Sequence, residues 1–87
     1  MKAKKFYHQK TLKNMFNIEL VERIIAEYGM INTLQFCKME SFKYEQLEKY
    51  YHNMGFKELF EESNYEKEWW AVKAQDIELN LKQQMLK

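Results

Sequence analysis

The chain has 87 residues, 14 basic and 13 acidic side chains, a formal charge of +1, two Gly, no Pro and one Cys. Hydrophobic residues make up 46% and aromatics 16%, more apolar surface than a disordered chain carries, and the length suits one domain. A lone Cys37 closes no intramolecular disulfide, no Cys/His spacing matches a zinc site, and two glycines rule out collagen and a Gly-rich phosphate loop.

Residues 1–16 read as a basic N-terminal segment ahead of a single helical domain over 17–87. Lys2, Lys4, Lys5, Lys10 and Lys13 give the first thirteen residues a charge of +5 with no acid. The segment lacks the apolar stretch of a signal peptide, so a cytoplasmic location is expected. Positions 19–68 hold six bases against eleven acids, a local −5. The neutral total therefore hides a chain with a basic head and an acidic middle. Lys outnumbers Arg 13 to 1, and residues with AT-rich codons dominate. That bias points to an AT-rich gene, as in low-GC bacteria and their phages or plasmids.

A first helix is predicted over Ile18–Tyr28, with Asn17 as N-cap and Gly29 at the left-handed C-terminal position. Ile18, Val21, Ile25 and Tyr28 form its apolar stripe. Residues 30–40 fit neither period cleanly. They read as a short helix capped by Asn32 or Thr33, with Leu34, Cys37 and Met39 turned inward. Ser41 is expected to cap a third helix, from Phe42 to Met54, ended by Gly55. Leu47, Tyr50, Tyr51 and Met54 supply its core-facing stripe, and Glu45 with Lys49 makes an i, i+4 pair on the wet side. Phe56, Leu59 and Phe60 follow as an apolar turn. Ser63 and Glu66 have the spacing of a capping box, opening a long C-terminal helix from Asn64 to near Met85. The expected fold is thus mainly α, a compact bundle of about four helices.

The C-terminal helix has two apolar sectors. Trp70, Ala74, Ile77, Leu81 and Met85 fall in one stripe at 100° per residue, which reads as core. Tyr65, Trp69, Val72, Leu79 and Leu86 gather in a second sector. A helix longer than twenty residues is hard to enclose in so short a chain, so the second sector is the expected interface. Beside it lies an acidic stretch that includes Glu61, Glu62, Glu66 and Glu68. Aromatic anchors with charge complementarity are what a protein-binding surface uses.

These features predict a small protein-binding regulator or inhibitor of a host factor, phage- or mobile-element-encoded, with Tyr65, Trp69, Val72, Leu79 and those four glutamates in contact. Self-association, as a homodimer, is an alternative. A second alternative is a helix-turn-helix-like DNA-binding regulator, using Lys2, Lys4, Lys5, Lys10, Lys13 and Lys38 around the Gly29 unit. The match is poor, since the reading helix offers only Gln35 and Lys38 to base edges. Catalytic groups are sparse: Cys37 with His52 is the sole thiol–imidazole pairing available, and Glu48 with His52 at best half a metal site. No enzyme activity, cofactor or metal is expected. The C-terminal helix lacks a basic face for anionic lipid, so no membrane partner is expected either.

Overall fold

The computed structural model describes the backbone of residues 2–85 and the side chains of residues 12–85. The chain forms two helical elements, α1 (Lys2–Met54) and α2 (Lys57–Met85), with no strand among the described residues. The expectation of a mainly α protein holds. The expectation of a bundle of about four helices does not.

Helix α1 is not one straight rod. Gly29 has φ 85° and ψ 168°, non-helical values inside an otherwise helical run. In that region a side chain on an L residue clashes with its own backbone, so only Gly adopts it readily. Asn32 Nδ2 donates to the Tyr28 carbonyl at 2.7 Å and Thr33 Oγ donates to the Gly29 carbonyl at 2.7 Å. Both are i to i−4 side-chain bonds onto the carbonyls that flank the break. Residues 2–28 and 30–54 are therefore two limbs joined at one glycine.

Cross-contacts fix the limb directions. On the first limb, Asn14 meets Tyr65 and Asn17 meets Glu66, so positions on this limb and α2 rise together. On the second limb, Met30 meets Gln84, Phe36 meets Trp70, Ser41 meets Lys67 and Glu48 meets Asn64, so those run oppositely. The two limbs are consequently antiparallel, and Gly29 turns the chain into an αα-hairpin against which α2 packs. This is the ordinary form of a Gly-linked helix pair. The helix-turn-helix motif instead crosses its helices at a steep angle.

The break at Gly55 is a complete Schellman motif. Phe56 N–H donates to the Tyr51 carbonyl at 2.9 Å and Gly55 N–H to the His52 carbonyl at 3.2 Å, with Gly55 at φ 77°. The apolar contact that accompanies such motifs is the Tyr51–Phe56 ring pair, 6.4 Å between centroids. Phe60 N–H then bonds the Phe56 carbonyl at 2.9 Å, so Phe56 leads directly into α2 and Leu59 and Phe60 lie in its first turns, not in a separate turn. The whole link between α1 and α2 is two residues long.

Three predicted caps prove to be interior residues. Asn17 lies inside α1, buried, and donates to Glu66. Ser41 is also inside α1, and its Oγ donates to the Lys67 carbonyl across the helix contact at 3.1 Å. Ser63 and Glu66 are both buried within α2, which begins six residues before Ser63. The physical reason is shared: small polar side chains serve a helix end or a close helix–helix approach equally well.

The core is small. Val21 from the first limb, Leu34 and Cys37 from the second, and Trp70, Ala74 and Ile77 from α2 are the buried hydrophobic residues. Phe36 packs edge-on to Trp70 at 5.6 Å, and Trp69 to Trp70 at 4.9 Å, both favoured aromatic geometries. Other stripe residues expected inside are exposed, namely Ile18, Tyr28, Met39, Tyr50, Met54 and Met85. Three rods around one core bury one side of each, so stripes predicted from sequence alone lose their outer members.

Candidate functional site

The second sector of α2 lies along the seam with the first limb. Ile18, Tyr65, Glu68, Trp69, Val72, Lys73 and Asp76 line an open groove of about 420 Å³ there. Tyr65 and Trp69 are half-buried, because the first limb covers their inner edges. Tyr65 OH donates to Asn14 Oδ1 at 2.6 Å, which fixes the ring as one wall. Val72 and Leu79 stay 53% and 58% exposed, so water covers more than half of each. Leu86, the last member of the predicted sector, lies outside the described residues.

The charge around this groove is mixed with an acidic excess: Glu68 and Asp76 against Lys73. Of the four glutamates expected to supply charge, Glu61 and Glu68 are exposed. Glu62 lies 4.0 Å from Lys13 of the first limb, a contact too open to contribute much. Glu66 is a correction. It is only 5% exposed, and its Oε2 accepts from Asn17 Nδ2 and Trp70 Nε1, each at 3.2 Å. A buried carboxylate survives only when hydrogen-bonded, and here those bonds tie the first limb to α2. Glu66 holds the wall of the groove together instead of meeting a partner.

Ile18 was read as core and instead lines the groove at 42% exposure. The signal that identifies it is tertiary, since periodicity places Ile18 beside Val21 without saying where the neighbouring helix ends.

The residues proposed for nucleic acid do not form one surface among the described positions. Lys2, Lys4, Lys5 and Lys10 have side chains outside the described residues. Lys13 faces Glu62 on the first limb's seam, whereas Lys38 lines a different groove together with Glu45 and Glu78. Both described lysines therefore sit beside acids.

Catalytic constellations do not assemble from the residues considered for them. Cys37 and His52 are fifteen positions apart on one unbroken limb, roughly 22 Å at 1.5 Å per residue. Cys37 is fully buried, and that burial pushes its thiol up to about 11, with Lys73 pulling weakly the other way and Glu40 adding to the rise. Such a thiol is a small hydrophobe and not a nucleophile. His52 packs its ring against Phe60 at 5.4 Å. Glu48, its supposed metal-site companion, accepts from Asn64 Nδ2 at 2.6 Å and Lys67 Nζ at 3.1 Å. The Asn64 hydrogen bond first, and Lys67 after it, hold the Glu48 carboxyl below the usual carboxylate range against the opposing effect of burial. No group of three or more His, Cys, Asp or Glu suited to a metal ion occurs among the described residues. No helix among them is long and apolar enough to cross a membrane.

No protein-family model, curated protein or solved structure matches the chain.

Proposed function

We propose that this protein is a small helical binding module, a regulator that acts by docking on another protein through the seam between the first limb of α1 and α2. The observation that carries the reading is the groove itself: aromatic walls from Tyr65 and Trp69, and Val72 open to solvent on its floor. Leu79 extends the apolar track by two turns along α2, at i+7 from Val72. Half-buried aromatics fixed by their own domain bind at low entropic cost, because little rotamer freedom remains to be lost. The rim acids Glu68 and Asp76 exceed the single Lys73, so the segment it suits is apolar with a net positive charge. Charge of that kind chiefly sets the encounter rate and the choice of partner.

The test uses the full chain and a Val72→Glu, Leu79→Glu variant. Both positions are exposed, so the helical circular dichroism should be unchanged. Proteins captured from the source cell by the full chain are identified by mass spectrometry, purified and titrated against both forms. A partner whose affinity falls at least about tenfold on the variant, and falls again with added salt, fits the proposal. Equal affinity for the two forms overturns it, as does recovery of nucleic acid with a steep salt dependence in place of any protein.

A further inference from the structure

The opposite side of the molecule carries a second unpartnered surface, and it does not depend on the reading of the groove. We propose that the outer face of the second limb of α1 is a self-association surface, on which a second copy of this chain packs antiparallel about a two-fold axis near Phe42.

The sequence along this limb sets Ile31, Gln35, Met39, Phe42, Gln46 and Tyr50 at intervals of 4, 4, 3, 4 and 4. At 100° per residue they span about 100° of the helix surface and about 28 Å of its length. Their average interval, slightly above 3.6, lets the track drift slowly around the limb while staying on one side of it. All six are exposed, on the side opposite buried Thr33 and Cys37. Ile31, Met39 and Phe42 expose 67%, 70% and 63% of their surface. None of the six is charged, although 31% of the chain is. An uncharged track of that length, apolar at four of its six positions, is the mark of an interface on a small domain, and uncharged amides between the apolar groups suit the middle of one.

Two features select a second copy, in one orientation. Lys38 and Glu45 lie on the same edge of the track, and both line a groove of about 290 Å³ between this limb and α2. They stand equally far from a point between positions 41 and 42. An antiparallel two-fold there keeps like edges together, so Lys38 of each copy faces Glu45 of the other and both ion pairs form at once. A parallel arrangement sets this edge against the one holding Lys43. There Lys38 meets Lys43, whose partner Glu40 is held at 2.8 Å, whereas Glu45 has only a looser 3.7 Å contact with Lys49 on its own helix and can take a second cation. Phe42 also leans towards the Lys38–Glu45 edge. Phe42 itself lines the groove beside Ser41, Ala71 and Ala74, so the antiparallel axis sets the two Phe42 rings next to each other and each against the mouth of its partner's groove. The surface is self-complementary in shape and charge, as an isologous dimer requires.

Sedimentation equilibrium and light scattering on the full chain decide the matter. The expected mass is twice the 10.8 kDa of the chain, falling to the single-chain mass on dilution. Phe42→Asp, at an exposed position, should give a monomer with an unchanged helical spectrum. Lys38→Glu should weaken the dimer roughly tenfold, since it turns two attractive contacts repulsive. Adding Glu45→Lys should restore it, because the reversed charges again face each other. The Val72→Glu, Leu79→Glu variant should keep the dimer, which separates this surface from the groove. A single-chain mass at the highest soluble concentration overturns the proposal. So does a dimer that survives Phe42→Asp, and a double charge reversal no better than the single one overturns the antiparallel register.

Discussion

Replacing Gly29 by alanine isolates the backbone term at the one residue that reverses α1. Its φ of 85° and ψ of 168° fall where L residues are rarely found, and holding one there costs roughly 1–3 kcal/mol. A Cβ at Gly29 meets no atom within 4 Å, so nothing in the surroundings adds to or offsets that figure. The handedness supplies its own control. For D-alanine the same angles are the mirror image of ordinary extended backbone, so the strain disappears. What remains is the reduced freedom of the unfolded chain, a gain of roughly 0.4–1 kcal/mol. That gain is common to both enantiomers, so they should differ by the strain alone, roughly 1–3 kcal/mol, with the D-alanine protein the more stable. Both proteins are accessible by chemical ligation, and urea unfolding followed by tryptophan fluorescence reads the midpoints. In a domain of this size each kcal/mol moves Tm by about 4–8 °C, so thermal melts give a second reading. Equal destabilisation by both enantiomers would mean that a contact and not the dihedral sets the cost. An L-alanine protein as stable as the D-alanine one would refute the argument altogether.

Three further outcomes follow from the interior. Glu66→Ala strands the Asn17 and Trp70 donors and should cost about 2–4 kcal/mol in urea unfolding; Asn17→Ala added to it should cost less than on its own, and strict additivity would show that the bond is not made. The Cys37 thiol, raised by burial to about 11, should resist iodoacetamide at pH 8 in the native state and react only as urea opens the fold, so rapid native alkylation contradicts the packing. Because that pKa lies above its ordinary value of 9.0, the stabilisation linked to it is complete below pH 9 and lost between there and about 11. Glu48 has the reverse sign: its carboxyl, lowered chiefly by the Asn64 hydrogen bond from the ordinary 4.5, stabilises the fold above that pH and ceases to as pH falls through the lowered value. Glu48→Gln should therefore flatten the acid limb of the stability profile, and superimposable profiles would contradict the contact.

Helicity, both helix stops and the centre of the core are legible in the residues alone. With no Pro and two Gly, helix breaks fall at Gly29 and Gly55, where the structure has its only positive φ angles among the described residues. The spacing of Trp70, Ala74 and Ile77 marked them as buried, and they are. Periodicity also separated Trp70 from Trp69, which the structure places in the core and in the groove wall respectively. Each of these rests on a local rule, either one residue's dihedral freedom or an angle about one helix axis.

Tertiary structure decided the rest, for a common reason. A local rule gives a side chain its angle about its own helix, but not the position of the neighbouring helix. Asn17, Ser41 and Ser63 have the composition of caps, yet Ser63 is buried inside α2, and the Asn17 amide and Ser41 hydroxyl reach across to the neighbouring rod. Glu66 has the charge of a rim residue but meets two donors from opposite sides, one of which arrives 49 positions away in sequence. Met39 and Tyr50 look like members of inward stripes, but a limb that touches its neighbours on one side leaves them outside. The two surfaces left over, the groove by Val72 and the track through Phe42, exist only because three rods cannot cover all the apolar area that 87 residues carry.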